Sequence, residues 1–116
     1  PGLVIVTTLG TGIGSAMINE GRLVPNTELG HLEIAGHDAE TRASAAAKAR
    51  EKLSYERWSR RLQLYYATLE RLFWPDLLVV GGGVSKNHDR FLPLLKLNGD
   101  HPFSCGTGNH GGIETA

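Results

Sequence analysis

The chain has 116 residues, 41% of them hydrophobic and 21% charged, with 12 basic side chains against 12 acidic ones and a formal net charge of zero. That is the size and balance of one globular domain with a modest core, and the neutral balance gives no reason to expect a nucleic acid or an acidic membrane surface as partner. No apolar run nears the ~20 residues of a membrane-spanning helix, no signal peptide is expected, and Cys105 as the lone cysteine excludes an internal disulfide and a thiolate metal cluster and fits a reducing, cytoplasmic setting.

Leu3 to Thr8 reads as a buried strand with no lead-in before it, as expected of a piece of a longer protein. It runs into a loop in which every second residue from Gly10 to Gly14 is glycine. Glycine lets a backbone come close to a ligand, and Thr7, Thr8, Thr11 and Ser15 add hydroxyl donors. One reading is therefore a cradle of backbone N–H groups for phosphate. The spacing is neither that of a P-loop, which needs Gly-Lys-Ser/Thr, nor that of the dinucleotide fingerprint. The other reading is a plain glycine-rich hairpin with Ser15 to Asn19 as its return strand. Glu20-Gly21 reads as a turn and Arg22-Leu23-Val24 as a third strand, ended by Pro25.

Glu28-Leu29-Gly30-His31 sets a carboxylate and an imidazole on either side of a glycine. Such a pair can face one pocket and hold the hydroxyls of a polyol; a surface glutamate and a capping histidine are the plainer alternative. A metal set drawn from His31, Glu33, His37 and Asp38 matches no zinc spacing. Asp38 reads as an N-cap with Glu40 in the first turn, opening a helix expected from Ala39 to Lys52, where Ala, Arg, Lys and Glu dominate. Ser54 caps a second helix. There Trp58, Leu62, Tyr65, Leu69 and Leu72, widened by Tyr66 and Phe73, form a core stripe. Arg57, Arg60, Arg61, Glu70 and Arg71 lie mainly elsewhere around the helix; the arginines read as a solvated face, with a basic groove for a polyanion as the alternative, and Pro75 stops the helix.

Leu77 to Val80 is a second buried strand, followed at once by Gly81-Gly82-Gly83. Glycines at the carboxyl end of a buried strand leave a crevice of the kind in which ligands bind in open α/β sheets. A helix expected from Ser85 to Leu95 would turn its N-terminus toward phosphate there; a tight strand-to-helix turn is the plainer reading. Helix, strand and glycine turn in succession argue for an α/β fold, a sheet covered by helices. From Leu97 to Ala116 there is no periodicity, and loop or disorder is expected.

The three strings Leu-Gly-Thr-Gly-Ile-Gly-Ser-Ala (9–16), Pro-Asn-Thr-Glu-Leu-Gly-His-Leu-Glu (25–33) and Val-Val-Gly-Gly-Gly-Val-Ser-Lys (79–86) follow one another in this order. Together they resemble the C-terminal lobe of the ROK family of sugar kinases and related repressors, nearest to its polyphosphate glucokinase branch. The resemblance runs from about Gly2 to about Leu95. It implies the actin-like, ribonuclease-H-like ATPase fold, with a mixed sheet and flanking helices. It implies phosphoryl transfer from polyphosphate or ATP to the 6-hydroxyl of glucose, with Mg²⁺, by an enzyme that is a cytoplasmic homodimer. Gly10, Thr11, Gly12, Ile13 and Gly14 would hold the donor phosphates. Glu28, His31 and Glu40 would hold the sugar, and Gly81, Gly82 and Gly83 would line the adenosine side.

The chain departs from the family pattern in places. The stretch Ala35 to Glu40 lacks the cysteine-rich zinc segment of many ROK proteins, as polyphosphate glucokinases do, so no zinc is expected. The family's catalytic Asp and first phosphate loop have no counterpart and are expected upstream of Pro1, so the isolated chain is expected to be inactive. Residues 1–96 are taken as the lobe and 97–116 as a divergent, irregular tail, in which Asn109 to Ile113 only loosely echoes the family's ending. A non-catalytic sugar- or nucleotide-binding remnant is the alternative reading, and an oligomerisation module a further one.

Overall fold

The computed structural model describes residues 2–99, 101–105 and 114–115, the last two through their backbone alone. β1 (Leu3–Leu9) and β2 (Ile13–Asn19) form an antiparallel hairpin with Leu9 opposite Ile13. A turn at Glu20-Gly21, with φ of 52° and 78°, carries the chain into β3 (Arg22–Val24). Positive φ at both central residues matches the right-handed twist of the strands it joins. A tight 3-10 turn at Leu29–His31 precedes a small separate ribbon, β4 (Glu33–Ile34) with β5 (His37–Asp38). Three helices follow: α1 (Ala39–Ala43), α2 (Ala45–Arg50) and α3 (Tyr55–Phe73). β6 (Leu77–Gly81) then runs parallel to β1, β7 (Phe103–Cys105) parallel to β6, and β8 (Glu114–Thr115) antiparallel to β7. The mixed sheet has the order β3-β2-β1-β6-β7-β8.

The core lies on one face of this sheet. Along β1, Ile5, Thr7 and Leu9 are fully buried, whereas Val4, Val6 and Thr8 on the opposite face are more open, as the two-residue period of a strand requires. α3 lays Trp58, Leu62, Tyr65, Tyr66 and Leu69 into the core, each no more than 1% exposed. Burying a large apolar side chain contributes about 1.5–3 kcal/mol, so this stripe is the main adhesive of the domain. Its polar atoms are placed with care. The Tyr66 hydroxyl lies 2.7 Å from Thr7 Oγ1, which itself donates to the Val79 carbonyl at 3.0 Å. The Trp58 indole donates to the Ala43 carbonyl and meets Phe91 edge-on at 5.0 Å.

Several elements differ from the sequence reading. The helix expected from Ala39 to Lys52 is broken at Ser44, whose extended backbone and side chain, accepting from Ala47 N–H at 3.1 Å, start α2 anew. Leu72 is 53% exposed, just past the reach of the stripe. The helix expected from Ser85 to Leu95 is instead 3-10 backbone at Gly83–Arg90, kinked at Asn87, and at Leu92–Leu94. β7 and β8 fall within the stretch expected to be irregular; residues 106–113, including the whole loose echo of the family ending, lie outside the described residues. β7 has too few residues to show a period and is held by pairing with β6.

Glu70, which the helical spacing places off the apolar stripe, is 2% exposed. Its carboxylate accepts from the N–H groups of Asn98 at 3.1 Å and Gly99 at 2.7 Å, and it pairs with His101 Nε2 at 2.7 Å. The other ring nitrogen of His101 faces the Pro75 carbonyl at 2.7 Å, so the ring sits between two oxygens. Burial pushes the Glu70 carboxyl up, but the Gly99 and Asn98 N–H groups and His101 outweigh it and hold it below the usual carboxylate range. This knot ties the end of α3 to the segment leading into β7. Because the folded value lies below the unfolded one, the stabilisation is complete above the ordinary carboxylate range and is lost as pH falls through the folded value. Glu70→Ala leaves the His101 ring buried without its partner, and urea unfolding at neutral pH is expected to find it weaker by ~3 kcal/mol. In acid the difference between wild type and variant should shrink.

Candidate functional site

The parallel strands β1 and β6 end side by side, and the glycine loop, the 3-10 turn at Leu29–His31 and α1 close around those ends. In the loop, Gly10 N–H donates to the Gly12 carbonyl at 3.0 Å. Two further bonds fix the loop from outside. Ala46 N–H, in the first turn of α2, donates to the Gly10 carbonyl at 2.9 Å, which uses one of the donors a helix N-terminus leaves unpaired. Glu40 Oε1 accepts from Ile13 N–H at 3.1 Å, and Glu40 Oε2 lies 3.1 Å from His31 Nε2.

The turn that carries Glu28 and His31 is pressed against β2. Ser15 Oγ accepts from Leu29 N–H at 3.0 Å, and a Cβ on Gly30 would stand 2.3 Å from the Ile13 carbonyl oxygen. Only glycine allows that approach. Gly82 has φ 94°, and a Cβ there would meet the Leu9 carbonyl oxygen at 2.7 Å, so the backbone after β6 sits directly against the end of β1.

These constraints shape an open cleft of about 550 Å³ lined by Thr8, Gly10, Thr11, Gly12, Ile13, Gly14, Glu28, Glu40 and Gly82. The structure therefore brings the whole glycine loop together with Glu28, Glu40 and Gly82. His31 stands beside the cleft, engaged with Glu40. Gly81 is buried at the end of β6 opposite Thr8, and Gly83 is exposed, so neither lines the cleft. Of the expected hydroxyl donors, Thr8 and Thr11 face the cleft. Thr7 is buried against Tyr66, and Ser15 holds the Leu29 turn. The Ile13 N–H is taken by Glu40. The 3-10 backbone after Gly82 supplies no α-helix N-terminus at the crevice.

Chemically, two carboxylates that accept hydrogen bonds face a backbone loop with threonine hydroxyls. That arrangement can take a polyhydroxylated molecule on the carboxylate side and an anionic group on the loop side. The sequence reading missed the grip of Ala46 on Gly10. The signal was Ser44, a capping residue whose helix start exposes N–H groups in need of acceptors. Ala35-Gly36, with φ of 54° and 83°, turns β4 into β5.

No family model matches the chain. A polyphosphate glucokinase of Mycobacterium tuberculosis is 46% identical over 83% of the chain, and one of Mycobacterium leprae is 46% identical over 82%. An inorganic polyphosphate/ATP-glucomannokinase from Arthrobacter superposes with a TM-score of 0.83 at 58% identity, covering 86% of this chain and 40% of that one. A ROK family glucokinase from Streptomyces griseus, solved with glucose and AMPPNP, superposes with a TM-score of 0.69 over 90% of the chain and 55% of its own length; at 20% identity it speaks for the fold alone. The chain has the actin-like ATPase fold of the ROK family sugar kinases. In sequence it is similar to the polyphosphate glucokinases, spanning 36% of the length of the M. tuberculosis protein and 29% of the M. leprae protein.

The glycines differ in what they tolerate, and this can be measured. Gly30→Ala forces a methyl into the Ile13 carbonyl and is expected to cost ~1–3 kcal/mol in chemical unfolding. Gly10→Ala, with nothing within 4 Å of the new Cβ, is expected to stay within ~0.5 kcal/mol of wild type.

Proposed function

We propose that the chain is the C-terminal lobe, residues 1–96, of a glucokinase that transfers phosphate from polyphosphate or ATP to the 6-hydroxyl of glucose, with residues 97–116 as a divergent tail. The observation that carries this reading is the convergence of the glycine loop, Glu28, Glu40 and Gly82 on one cleft. The activities for which these relatives are named support the choice of substrates. Glu28 and Glu40 accept hydrogen bonds from sugar hydroxyls, and His31 orients Glu40 and adds a donor at the rim. The loop from Gly10 to Gly14 holds the donor's phosphates with Thr8 and Thr11 beside it. Gly82, with Gly81 and Gly83 on either side, leaves room for a nucleoside when ATP is the donor. Such chemistry rests on positioning and charge stabilisation.

Magnesium usually binds one or two carboxylates plus substrate phosphates, retaining several waters. Among the described residues no three His, Cys, Asp or Glu side chains converge on a metal position. Mg²⁺ would therefore ride on the donor's phosphates, with Glu28 the nearest uncommitted carboxylate of the cleft. A cytoplasmic homodimer completes the reading. Among the described residues no helix is long and apolar enough to cross a membrane.

Since the chain spans 36% of its M. tuberculosis relative, it carries one wall of the site, and sugar binding without turnover is expected of it alone. In a coupled assay for glucose 6-phosphate the isolated chain should give no signal, and a full-length kinase containing it should. In glucose titrations followed by NMR, Glu28→Ala is expected to weaken binding about 10–100-fold, the worth of a hydrogen bond to a charged group at ~1.5–3 kcal/mol. Turnover by the isolated chain at the rate of a full-length relative, or glucose binding indifferent to Glu28→Ala, would sink the proposal.

A further inference from the structure

The break between α1 and α2 is secured on both sides. In one continuous helix the carbonyls of Thr41, Arg42 and Ala43 would accept from the N–H groups of Ala45, Ala46 and Ala47. Side chains take all three carbonyls instead. Arg50 Nη2 donates to Thr41 at 3.0 Å, Arg61 Nη1 to Arg42 at 3.1 Å, and the Trp58 indole to Ala43 at 2.9 Å. Ala47 N–H turns to Ser44 Oγ at 3.1 Å, and Ala46 N–H reaches the Gly10 carbonyl at 2.9 Å. Two residues control that last bond. Ser44, 1% exposed, starts the new helix axis. Arg61, itself forked onto Glu51 by two contacts of 2.8 Å, occupies the Arg42 carbonyl, the acceptor that competes with Gly10 for Ala46.

What the glycine loop gains from this bond is direction. A trans peptide is planar, with its C=O and N–H pointing opposite ways. The Gly10 carbonyl and the Thr11 N–H belong to one such unit. By holding the carbonyl, Ala46 therefore also aims the Thr11 N–H, away from α2. Thr11 and Gly12 line the cleft, and among the described residues neither of their N–H groups makes a hydrogen bond. A bond accepted at the carbonyl also strengthens the donor at the other end of the unit. Without it the stretch Gly10-Thr11-Gly12 could turn its peptide planes with little steric resistance, since glycine restrains them weakly.

We propose that Ser44 and Arg61 are positioning residues for the donor's phosphates: by keeping the helix broken they hold Ala46 on Gly10, and so present the Thr11 N–H to a phosphate oxygen. The proposal rests on the reading of the glycine loop as the phosphate side of the cleft. It adds to that reading two side chains that line no part of the cleft and act through the backbone of α2.

The test is a titration of the 116-residue chain with inorganic tripolyphosphate at fixed ionic strength, followed through the amide signals of Thr11 and Gly12. Saturable binding is expected. Ser44→Ala removes the cap inside an alanine-rich run and favours one continuous helix; it is expected to weaken binding about tenfold, the worth of one hydrogen bond. Ser44→Thr keeps a capping hydroxyl and should restore most of the affinity. Arg61→Met keeps the apolar stem, frees the Arg42 carbonyl to recapture Ala46, and should weaken binding several-fold. Glu70→Ala, destabilised at the other end of α3, should bind as wild type does while it is folded, which separates positioning from stability. Equal affinity of Ser44→Ala, Arg61→Met and wild type would overturn this proposal alone, as would an equal loss in Glu70→Ala. No shift at Thr11 or Gly12 in the wild-type chain would remove the phosphate reading of the loop, and this proposal with it.

Discussion

The Glu40 carboxylate is the constraint around which the cleft is organised. One oxygen holds the Ile13 N–H at the base of the glycine loop, and the other meets His31. Three separate segments, the β1–β2 hairpin, the Leu29 turn and α1, are thereby joined through one side chain. Hydrogen bonds to an ionised acceptor are stronger than neutral ones, and this one sits where a loop of small residues would otherwise have little to restrain it. It also explains why α1 is so short. Ser44 ends the first helix and starts the next, so Glu40 can face the loop while Ala46, on the new axis, reaches the Gly10 carbonyl. A single continuous helix from Ala39 to Lys52 would not satisfy both contacts.

The sheet gives those contacts a fixed floor. Pairing of β1 with β6, Thr8 opposite Gly81, brings two glycine-bearing strand ends to the same level. The hydrogen bonds that run from the Tyr66 hydroxyl through the Thr7 hydroxyl to the Val79 carbonyl pin that level from below. The core stripe of α3 holds the sheet from one side only, so the strand ends stay uncovered on the cleft side. Glycine at positions 30 and 82 then removes the Cβ atoms that would block the approach of backbone to backbone.

How much of this was legible follows from the range of each interaction. The strands of the hairpin, β6, the Ser54 cap and the stripe from Trp58 to Leu69 are written in local periodicity and capping chemistry, and these were read correctly. The glycine loop and Glu28, which the resemblance assigns to phosphate and sugar, line one cleft. The loop is the tip of a hairpin, as one of its two readings had it. What escaped were long-range partnerships. The burial of Glu70 depends on His101 and on two backbone N–H groups 28 and 29 residues away, and nothing around Glu70 announces them. The strand β7 exists because β6 offers a free edge, not because its three residues demand it. Ser44 was legible in principle, but a single capping residue inside an alanine-rich run is outvoted by propensity.

The form of the cleft bears on the catalysis proposed for it. Gly10, Thr11, Gly14 and Glu28 are all exposed, so a ligand seated here keeps much of its surface in water. Carboxylates and backbone donors can still select and orient a sugar under those conditions, since hydrogen bonds need only geometry. Phosphoryl transfer asks for more: water must be kept from competing with the sugar hydroxyl, and charges on the moving group must be stabilised where the local dielectric is low. A wall that closes over the loop supplies both, and such closure is a common way for enzymes to complete a site. The clamp at Glu40, bonded to the Ile13 N–H and paired with His31, would hold this wall in place under such a closure.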